Sequence, residues 1–455
     1  MAYNIVLIGA GDRGTTYTDW ILKNSNSLKV TAVADPDLEK QKRIMKKHGL
    51  SSENCFGDWR DLIHSDLSCD GVIIATPDKQ HTEPALAFLE LGVHVLLEKP
   101  MALNRDEVLR IRAAAELAEE KGGSLTVCHV LRYSPFFTKL KEIIRSGRIG
   151  DIQTMYHGEN VAYYHMAHSY VRGNWGNSKK SSPIILAKSS HDLDIIHWLM
   201  DSRPVQISSV SGRTVFLPEN APQSASDRCL EGCPSAEDCL YEAKKNYLYG
   251  IPIKTALSRS RGGIAFAARF MLRFRKLSAI LPFLSPYHIW KEWPTSTITE
   301  NLNENGIIEA LNKGPYGRCV YKCDNDQPEH QETIIRFKSG ATACFRLHGL
   351  SFEEGRTLRI DGKKGSIGAK FGSGSEISLS IHGSSKVVKI PMDSDFMGHS
   401  EADTSLMECW SSVFSGGRVK SSVEESLISH LMAFAADESD KSGETVIFPE
   451  SSADP

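Results

Sequence analysis

Lys99 is the residue whose type and position most clearly suggest chemistry. It follows the apolar run from Val93 to Leu97 and precedes Pro100, which disfavours helical backbone at the residue before it. The ammonium group is therefore presented from an extended, stiff place at the end of a predicted strand. A lysine held there can act as an electrostatic partner or as a base, although a lone strand-end lysine is usually a surface charge.

A second candidate group lies on one face of a predicted helix. His191, Asp194 and Trp198 are spaced i, i+3 and i+7, which places them side by side. His191 can act as a general acid or base, because an imidazole gains and loses a proton near neutral pH. Asp194 could orient a ring or join a polar network; the alternative is a salt-bridged helix carboxylate.

A glycine-rich loop near the N-terminus has the context of a dinucleotide-binding motif. A predicted strand, Tyr3 to Ile8, precedes the loop, and a predicted helix, Thr15 to Lys23, follows it. Gly9 permits the turn, Gly11 lets a pyrophosphate approach the backbone, and Gly14 lets the helix pack on the strand. The N–H groups at the start of the helix favour phosphate.

Asp35 indicates which dinucleotide is bound. It ends a second predicted strand, Leu28 to Ala34, about 20 residues beyond the loop, where a carboxylate can bind the adenosine ribose hydroxyls. Because an acid there repels a 2′-phosphate, we expect NAD rather than NADP. The alternative is that Asp35 only caps the following helix.

The alternation of strands and helices continues to residue 128 and predicts a doubly wound parallel sheet. Gly71 to Ala75, the run ending at Leu97, and Ser124 to Cys128 are predicted to be buried strands. Ligands bind beyond the C-terminal ends of such strands. His81 lies either near the nicotinamide ribose or in a structural position at a helix start. The predicted cofactor site comprises Gly9, Gly11, Asp12, Arg13, Gly14, Asp35, Thr76, Pro77, His81, Glu98 and Lys99.

The composition is typical of a soluble globular protein. The 455 residues are 41% hydrophobic and 24% charged, with a net charge of -3, which does not favour nucleic acid binding. No stretch approaches the roughly 18 apolar residues of a membrane span, and the N-terminus lacks the basic region of a signal peptide. Ten cysteines in a chain of this length fit reduced thiols, so we expect a cytoplasmic protein.

Five motifs together resemble the Gfo/Idh/MocA family of oxidoreductases. They are the loop Gly9-Ala10-Gly11-Asp12-Arg13-Gly14, Ala75-Thr76-Pro77 with His81, Glu98-Lys99-Pro100-Met101-Ala102, Arg132-Tyr133 before Ser146-Gly147-Arg148-Ile149-Gly150, and His191-Asp192-Leu193-Asp194-Ile195-Ile196-His197-Trp198. The resemblance implies an N-terminal Rossmann domain, residues 1–128, and a C-terminal α/β domain, residues 129–455. The second domain would have an open, mostly antiparallel sheet that often mediates homo-oligomers.

The resemblance also implies a sugar or cyclitol substrate and a catalytic role for Lys99, with one departure. Many family dehydrogenases carry D-x-x-x-H, and His191 matches the histidine, but Ala187 occupies the aspartate position and Lys188 stands beside it. Either another group orients the histidine, or the proton path is different. Three hypotheses follow: an NAD-dependent oxidoreductase, an NAD-dependent glycosidase using transient oxidation, or a non-catalytic NAD-binding sensor. Retention of Lys99 and His191 favours an enzyme.

A polar and aromatic segment, residues 163–175, predicts a carbohydrate pocket, because rings stack on C–H faces and polar side chains bind hydroxyls. His165 and His168 could instead bind a metal, but no carboxylate or further histidine nearby completes a ligand set; ordinary loop packing is the other alternative. The candidate substrate-binding residues are Arg132, Tyr133, His165, His168, Tyr170, Arg172, Trp175 and Lys188.

An insertion, at about residues 218–325, interrupts the part of the chain that resembles the family. It contains five cysteines in the patterns C-x3-C-x5-C and C-x3-C, namely Cys229, Cys233, Cys239, Cys319 and Cys323. Four of them could hold a structural zinc, since thiolates in close pairs suit a tetrahedral site; free buried thiols are the alternative. Between the two patterns, residues 254–276 include seven basic and no acidic residues, which suits packing on the protein, a second subunit or a membrane surface.

Overall fold

The structure is a computed structural model that describes residues 2–258, 263–273, 290–392 and 400–448. Its N-terminal sheet has six strands in the order β3-β2-β1-β4-β5-β6, and neighbouring strands are parallel. The strands are β1 (Tyr3–Ile8), β2 (Leu28–Ala34), β3 (Cys55–Phe56), β4 (Gly71–Ile74), β5 (His94–Leu97) and β6 (Ser124–Val127). The helices are α1 (Asp12–Asn24), α2 (Leu38–His48), α3 (Trp59–Ile63), α4 (Thr82–Glu90) and α5 (Arg105–Glu120).

This strand order, which reverses between β1 and β4, confirms the predicted doubly wound sheet. All four residues of β4 are buried, as expected where helices cover both faces. The sequence pattern does not predict β3, because two residues show no periodicity; this strand pairs with Val33 and Ala34. The start of α5 is capped by Asn104, whose Oδ1 accepts a hydrogen bond of 2.9 Å from the backbone N–H of Glu107.

The second domain contains a nine-stranded sheet in the order β14-β13-β12-β11-β7-β10-β9-β8-β15. Among the described strands, β7 and β10 are parallel neighbours, and the other neighbouring pairs are antiparallel. The predicted open and mostly antiparallel sheet is thereby confirmed. The strands are β7 (Ile152–Ala162), β8 (Pro204–Gly212), β9 (His330–Phe337), β10 (Thr342–Ser351), β11 (Gly355–Gly362), β12 (Gly365–Gly372), β13 (Glu376–Ile381), β14 (Val387–Pro391) and β15 (Val446–Ile447).

Helices connect this sheet to the first domain. The segment Met166–Arg172 forms a π-helix whose residues are all buried. The last long helix packs against α5 of the first domain as well as against β8. The helices after β6 are α6 (Pro135–Arg145), α7 (Tyr163–His165), α8 (Ile184–Ala187), α9 (Ser190–Met200), α10 (Ile251–Leu257), α11 (Gly263–Arg273), α12 (Glu304–Lys313), α13 (Ser400–Val413) and α14 (Val423–Ser442).

Helix α13 returns to the N-terminal sheet. Its Leu406, Met407 and Trp410 pack with Ile5 and Leu7 of β1 in one apolar cluster. A helix from the C-terminal part of the chain thus completes the packing of the first sheet, and the boundary between residues 128 and 129 stays a prediction.

The insertion has a small apolar core of its own, which comprises Ala243, Tyr247, Leu248, Ile307 and Leu311. Its basic segment contains the two helices α10 and α11, and residues 259–262 and 274–276 lie outside the described residues. Within α11, Ala268 is buried and Phe266 is exposed, so one face of this helix packs on the protein. Of the helices that the structure describes, none has the length and apolarity needed to cross a bilayer.

Candidate active site

The glycine loop leaves room for a phosphate group. Gly9 has a φ of +89°, and a Cβ there would lie 2.5 Å from the carbonyl oxygen of Ala75. A Cβ at Gly14 would lie 2.1 Å from the carbonyl oxygen of Gly9, whereas one at Gly11 would meet nothing within 4 Å. Gly11 is also the N-cap of α1 and contributes no side-chain hydrogen bond. The first N–H groups of α1 therefore border an open space, which fits the pyrophosphate of a dinucleotide.

Asp35 lies beside this loop. Its Oδ2 accepts a hydrogen bond of 2.7 Å from the N–H of Ala10, and its Oδ1 accepts one of 2.8 Å from the N–H of Asp37. The N-cap of α2 is Asp37, whose carboxylate accepts from the N–H groups of Glu39 and Lys40. The alternative that Asp35 only caps this helix is therefore wrong, and its contact with an adenosine ribose stays a prediction.

Arg43 and Glu300 flank the same loop and carry no recognisable sequence signal. Arg43 of α2 donates a hydrogen bond of 2.7 Å to the carbonyl oxygen of Ala10. Its guanidinium also pairs with the carboxylate of Glu300 at 3.2 Å, so the insertion reaches the edge of the predicted adenosine site.

Arg13 and Glu98 bind each other. The Nε of Arg13 donates to Glu98 Oε1 at 2.7 Å, and the hydroxyl of Tyr17 donates to the same oxygen at 2.6 Å. Burial raises the pKa of Glu98, but Arg13, the Tyr17 hydroxyl and Lys99 together outweigh burial, and the net shift of the pKa is downward. Arg13 also pairs with Asp403 of α13 at 2.6 Å, a contact across 390 positions of sequence. These side chains support the loop from behind, and Asp12 is exposed at its rim.

Lys99 extends from the end of β5 to the second domain. Its Nζ donates a hydrogen bond of 2.5 Å to the carbonyl oxygen of Ala187 at the end of α8. Burial lowers the pKa of Lys99, and the nearby Glu98 carboxylate opposes that shift. The ammonium group thus lies where the family pattern has its aspartate, one turn before His191.

His81 occupies a structural position. Its two ring nitrogens lie 2.6 Å from the carbonyl oxygen of Pro100 and 2.9 Å from that of Thr76. The buried ring therefore braces the segments that follow β4 and β5. Thr76 donates a hydrogen bond of 3.2 Å to the carbonyl oxygen of Gln80, and Pro77 is exposed.

His191 lies in the first turn of α9, next to two buried histidines. Its ring centroid is 6.3 Å from that of His129, which is 5.8 Å from that of His430. Burial lowers the pKa of both His129 and His430 to about 3, so both rings are neutral near pH 7. The sequence analysis missed them because each is a single histidine in an apolar context.

Arg132 and Asp194 form a buried structural pair. Two guanidinium nitrogens of Arg132 donate to the Asp194 carboxylate at 2.7 Å and 2.8 Å, and a third lies 2.8 Å from Glu425 of α14. Both side chains are at most 1% exposed. Each group is therefore the buried partner of the other, and the catalytic role for Asp194 and the substrate contact for Arg132 stay predictions.

Two further substrate candidates also have structural positions. Tyr133 is 1% exposed and belongs to the apolar cluster beneath α13. Arg172 is buried, and its guanidinium donates to the carbonyl oxygens of Arg318 and Tyr241, so it ties the insertion to the domain. Both side chains are buried in the structure, and their predicted contacts with a substrate stay predictions.

The other predicted residues lie together around the π-helix. Nδ1 of His165 lies 2.7 Å from Glu354 Oε1, and Nε1 of Trp175 donates to Asp78 at 2.9 Å. Tyr170 is buried next to Trp175, with ring centroids 6.1 Å apart. The side chain of Lys188 is 17% exposed and lies 3.5 Å from Glu159.

The insertion supplies aromatic rings to this region. His168 stacks on Tyr316 with centroids 4.7 Å apart, and Trp293 packs against both His165 and His168. Burial lowers the pKa of His168 to about 3. In the part of the chain that the structure describes, no group of three His, Cys, Asp or Glu side chains is arranged to hold a metal, so the metal alternative for His165 and His168 has no geometric support.

The insertion cysteines are unpaired thiols. Cys229, Cys233, Cys239 and Cys319 line one cavity with Arg172, and Arg172 donates to the Cys229 sulfur at 3.3 Å. All ten cysteines of the chain are free. Since no three metal-ligating side chains of the described residues are suitably arranged, the zinc site stays a prediction without ligating geometry.

A carboxylate cluster that the sequence analysis missed lies behind Lys188. Glu159 of β7 and Asp192 of α9 share the guanidinium of Arg356, at 2.8 Å and 2.9 Å. Nε2 of His157 lies 2.7 Å from Asp192. The sequence gives no sign of this cluster, because the partners of Glu159 come from distant elements, α9 and β11.

Two family models match the chain. The model of the oxidoreductase family with an NAD-binding Rossmann fold matches residues 3–129, and the model of the GFO/IDH/MocA C-terminal domain matches residues 137–226. The fold and the loop define the class, a protein with a Rossmann-type dinucleotide-binding domain and a second α/β domain. Within that class, the chain belongs to the Gfo/Idh/MocA family.

Its relatives include dehydrogenases. Inositol 2-dehydrogenase 4 of Saccharopolyspora erythraea is 28% identical over 51% of this chain and 64% of that protein. Inositol 2-dehydrogenase of Salmonella typhimurium is 27% identical over 43% of this chain and 54% of that protein. The chain spans about half the length of the curated relatives it matches. A solved oxidoreductase of Agrobacterium radiobacter in complex with NAD+, L-tartaric acid and magnesium shares the fold, with a TM-score of 0.63 and 15% identity over 98% of both chains.

Proposed function

We propose that this protein is an NAD-dependent oxidoreductase that transfers hydride between a CH–OH carbon of a cyclitol or sugar and the nicotinamide. The family's NAD-binding domain supports the cofactor class, and the similarity to inositol 2-dehydrogenases supports the substrate class. The main support for the proposal is the position of Lys99. Its side chain extends from the dinucleotide-binding domain, and its ammonium group binds the carbonyl oxygen of Ala187, four residues before His191.

Lys99 and His191 act on the same hydroxyl group. In oxidation, His191 accepts the hydroxyl proton, and the Lys99 ammonium donates a hydrogen bond to the oxygen as negative charge develops. Burial lowers the pKa of Lys99, so this group releases a proton more readily than an ordinary lysine. NAD, when bound, supplies the hydride acceptor. In reduction, the same residues return the proton to the oxygen.

NAD rather than NADP is the proposed cofactor. Gly11 and the start of α1 would hold the pyrophosphate, and Asp35 would hold the ribose hydroxyls. A 2′-phosphate would meet the Asp35 carboxylate, while the nearby cation, Arg43, is already paired with Glu300.

A panel of inositols, free sugars and aryl glycosides tests this function, with NADH formation and aglycone release measured in parallel. NADH formed in step with substrate oxidation supports the proposal. Aglycone release without net NADH contradicts it and favours the glycosidase, and retained NAD without either reaction favours a sensor.

Variants at Lys99 complete the test. We expect Lys99→Met to lower kcat/KM by about 10²–10⁴-fold while the protein stays folded, because the residue acts on the reacting oxygen. Lys139→Met is the matched control, since this exposed lysine pairs only with the neighbouring Glu142 among the described residues. An unchanged kcat/KM in the Lys99 variant contradicts the assigned role.

A further inference from the structure

The position left by the missing aspartate has a buried carboxylate close to it. Ala187 stands where the family pattern has that aspartate, and the two residues that follow it both contact Glu159. The Nζ of Lys188 lies 3.5 Å from Glu159 Oε1, and the hydroxyl of Ser189 lies 3.5 Å from Glu159 Oε2. Glu159 lies on β7, the middle strand of the nine-stranded sheet, so a different element brings a carboxylate to this site.

The surroundings of Glu159 are strongly charged. Arg356 of β11 donates to it at 2.8 Å and also binds Asp192 of α9. Burial, followed by the Asp192 charge, raises the pKa of Glu159 to about 8. Asp192 is also buried, yet Arg356 and His157 hold its pKa well below the usual range. Of the two carboxylates, Glu159 is therefore the one that takes up a proton first as the pH falls.

Three further titratable groups face the pair from other elements. They are Tyr170 of the π-helix and Lys99 beyond β5, which interact electrostatically with Glu159, and Glu354 before β11, which interacts with Lys188.

Exposure distinguishes the roles of Glu159 and Lys188. The side chain of Glu159 is 1% exposed, whereas that of Lys188 is 17% exposed, so the lysine is the member of the pair that can reach a ligand. Lys188 is also the neighbour of Ala187, whose carbonyl oxygen binds Lys99. Its ammonium is thus held next to the proposed reaction centre.

We propose that Glu159 is the positioning residue that replaces the missing aspartate: it holds the Lys188 ammonium where that group donates a hydrogen bond to a substrate hydroxyl. This inference rests on the proposed function. With Glu159 ionised, Lys188 is fixed by the ion pair; with Glu159 protonated, the ion pair is lost and the ammonium is no longer held in place.

The first test is the pH profile of kcat/KM for Glu159→Gln and Lys188→Met. In the wild type, kcat/KM rises through about pH 8 as Glu159 ionises. In both variants, this rise of kcat/KM with pH, the limb near pH 8, is lost. KM increases about tenfold and kcat changes less than threefold, because the pair binds the substrate equally in the ground state and in the transition state. The double variant is no worse than either single variant, and Lys188→Arg, which keeps the cation, regains part of the affinity.

Two controls separate this role from general damage. Glu329→Gln removes a buried carboxylate that binds backbone N–H groups of residues 214–216, and Lys180→Met removes an exposed lysine paired with Asp324. Both keep the limb near pH 8. A Glu159→Gln enzyme that keeps this limb, or singles whose KM effects multiply in the double variant, overturns the proposal.

A readout without turnover separates this inference from the proposed function. Because the folded-state pKa of Glu159 lies above its usual value, its stabilising contribution is present at pH 5 and lost as the pH rises through 8. The Tm of the wild type relative to Glu159→Gln therefore falls over this range, and the Tm effects of Glu159→Gln and Lys188→Met at pH 9 are non-additive. If the Tm effects are non-additive and the protein turns over none of the substrates, the Glu159–Lys188 pair is supported and the proposed function is contradicted. Additive Tm effects overturn the pair.

Discussion

At the scale of single residues, the site is organised by hydrogen bonds and charge pairs between distant parts of the chain. Lys99 reaches Ala187, Arg13 reaches Asp403, and Glu159 meets Arg356. Each pair contains a residue whose own sequence context is unremarkable. Removing one member therefore exposes the cost of an unpaired buried charge, so single substitutions report on function only with matched controls.

Asp35 is the residue that we expect to set the cofactor preference. Asp35→Ser removes the negative charge that would repel a 2′-phosphate, so the ratio of KM for NADP to KM for NAD should fall by about 10–100-fold, as for one charged hydrogen bond. Steady-state kinetics with both cofactors measures it. Asp37→Ala is the control: it removes the cap of α2, costs about 1 kcal/mol of unfolding free energy and leaves the ratio unchanged. A ratio that stays constant in Asp35→Ser contradicts the assignment.

At the scale of elements, the turn from β1 to α1 and the helix α9 each contain residues needed for packing and residues assigned to the proposed site. In the turn, a Cβ at Gly9 or Gly14 would collide with the backbone, whereas Gly11 borders the proposed position of the pyrophosphate. Helix α9 carries His191, the proposed acid–base residue, and Asp194, which pairs with the buried Arg132 one turn later.

Two glycine substitutions separate the two demands on the turn. A Cβ at Gly14 would collide with the Gly9 carbonyl oxygen, whereas one at Gly11 would enter open space. We expect Gly14→Ala to lower Tm by several degrees, and Gly11→Ala to leave Tm nearly unchanged while weakening NAD binding at least tenfold. Calorimetric titration and thermal unfolding measure these effects. Equal NAD affinity in Gly11→Ala and the wild type would refute the proposed pyrophosphate position.

Asp194→Asn tests the packing role of α9. It leaves the buried Arg132 guanidinium with Glu425 as its remaining carboxylate among the described residues, and we expect a loss of about 3–5 kcal/mol in unfolding free energy. Denaturant unfolding measures this loss. Glu142→Gln, which breaks the exposed pair with Lys139, should change it by less than about 1 kcal/mol. A stable Asp194→Asn protein with impaired turnover would return Asp194 to a catalytic role.

At the scale of the whole molecule, α13 and α14 join the two sheets through a core that includes buried histidines. His430 of α14 accepts a hydrogen bond of 2.7 Å from the N–H of Met101, and Trp410 of α13 is completely buried against β1. We therefore expect the domains to unfold together. The predicted homo-oligomer is a further property at this scale, which light scattering on the purified protein measures.

The buried histidines make this joint core sensitive to acid. The folded-state pKa of His129 is lowered to about 3 by burial, so its stabilising contribution is present above the unfolded pKa of about 6.5 and is lost as the pH falls toward 3. Among the described residues, neither ring nitrogen of His129 has a hydrogen-bond partner. The unfolding free energy of His129→Phe should therefore fall less between pH 7 and 5 than that of the wild type, by about 1 kcal/mol per pH unit below 6.5. An exposed-site control, His64→Gln, should retain the wild-type slope, and parallel slopes in all three proteins would contradict this explanation.

Local patterns were sufficient for much of the fold. The apolar runs and the glycine loop predict the parallel sheet and its ligand-binding edge, because buried strands and tight turns constrain residue types over a few neighbours. The five motifs likewise led to the correct family, while the role of Lys99, suggested by the strand and proline that flank it, stays a prediction.

The ion-pair partners of charged side chains could not be predicted from those local patterns. Asp194 and Arg132 have the residue types of a reaction site, yet they neutralise each other in the interior; Glu159 has an ordinary strand position, yet it meets Lys188 and Arg356. The reason is physical: whether a charged group is available for chemistry depends on its burial and on which opposite charge lies within about 4 Å, and both follow from how distant segments pack. Local sequence patterns thus determined the fold of the predicted cofactor-binding domain, whereas tertiary packing determined which charged side chains are paired in the interior and which are available to a substrate.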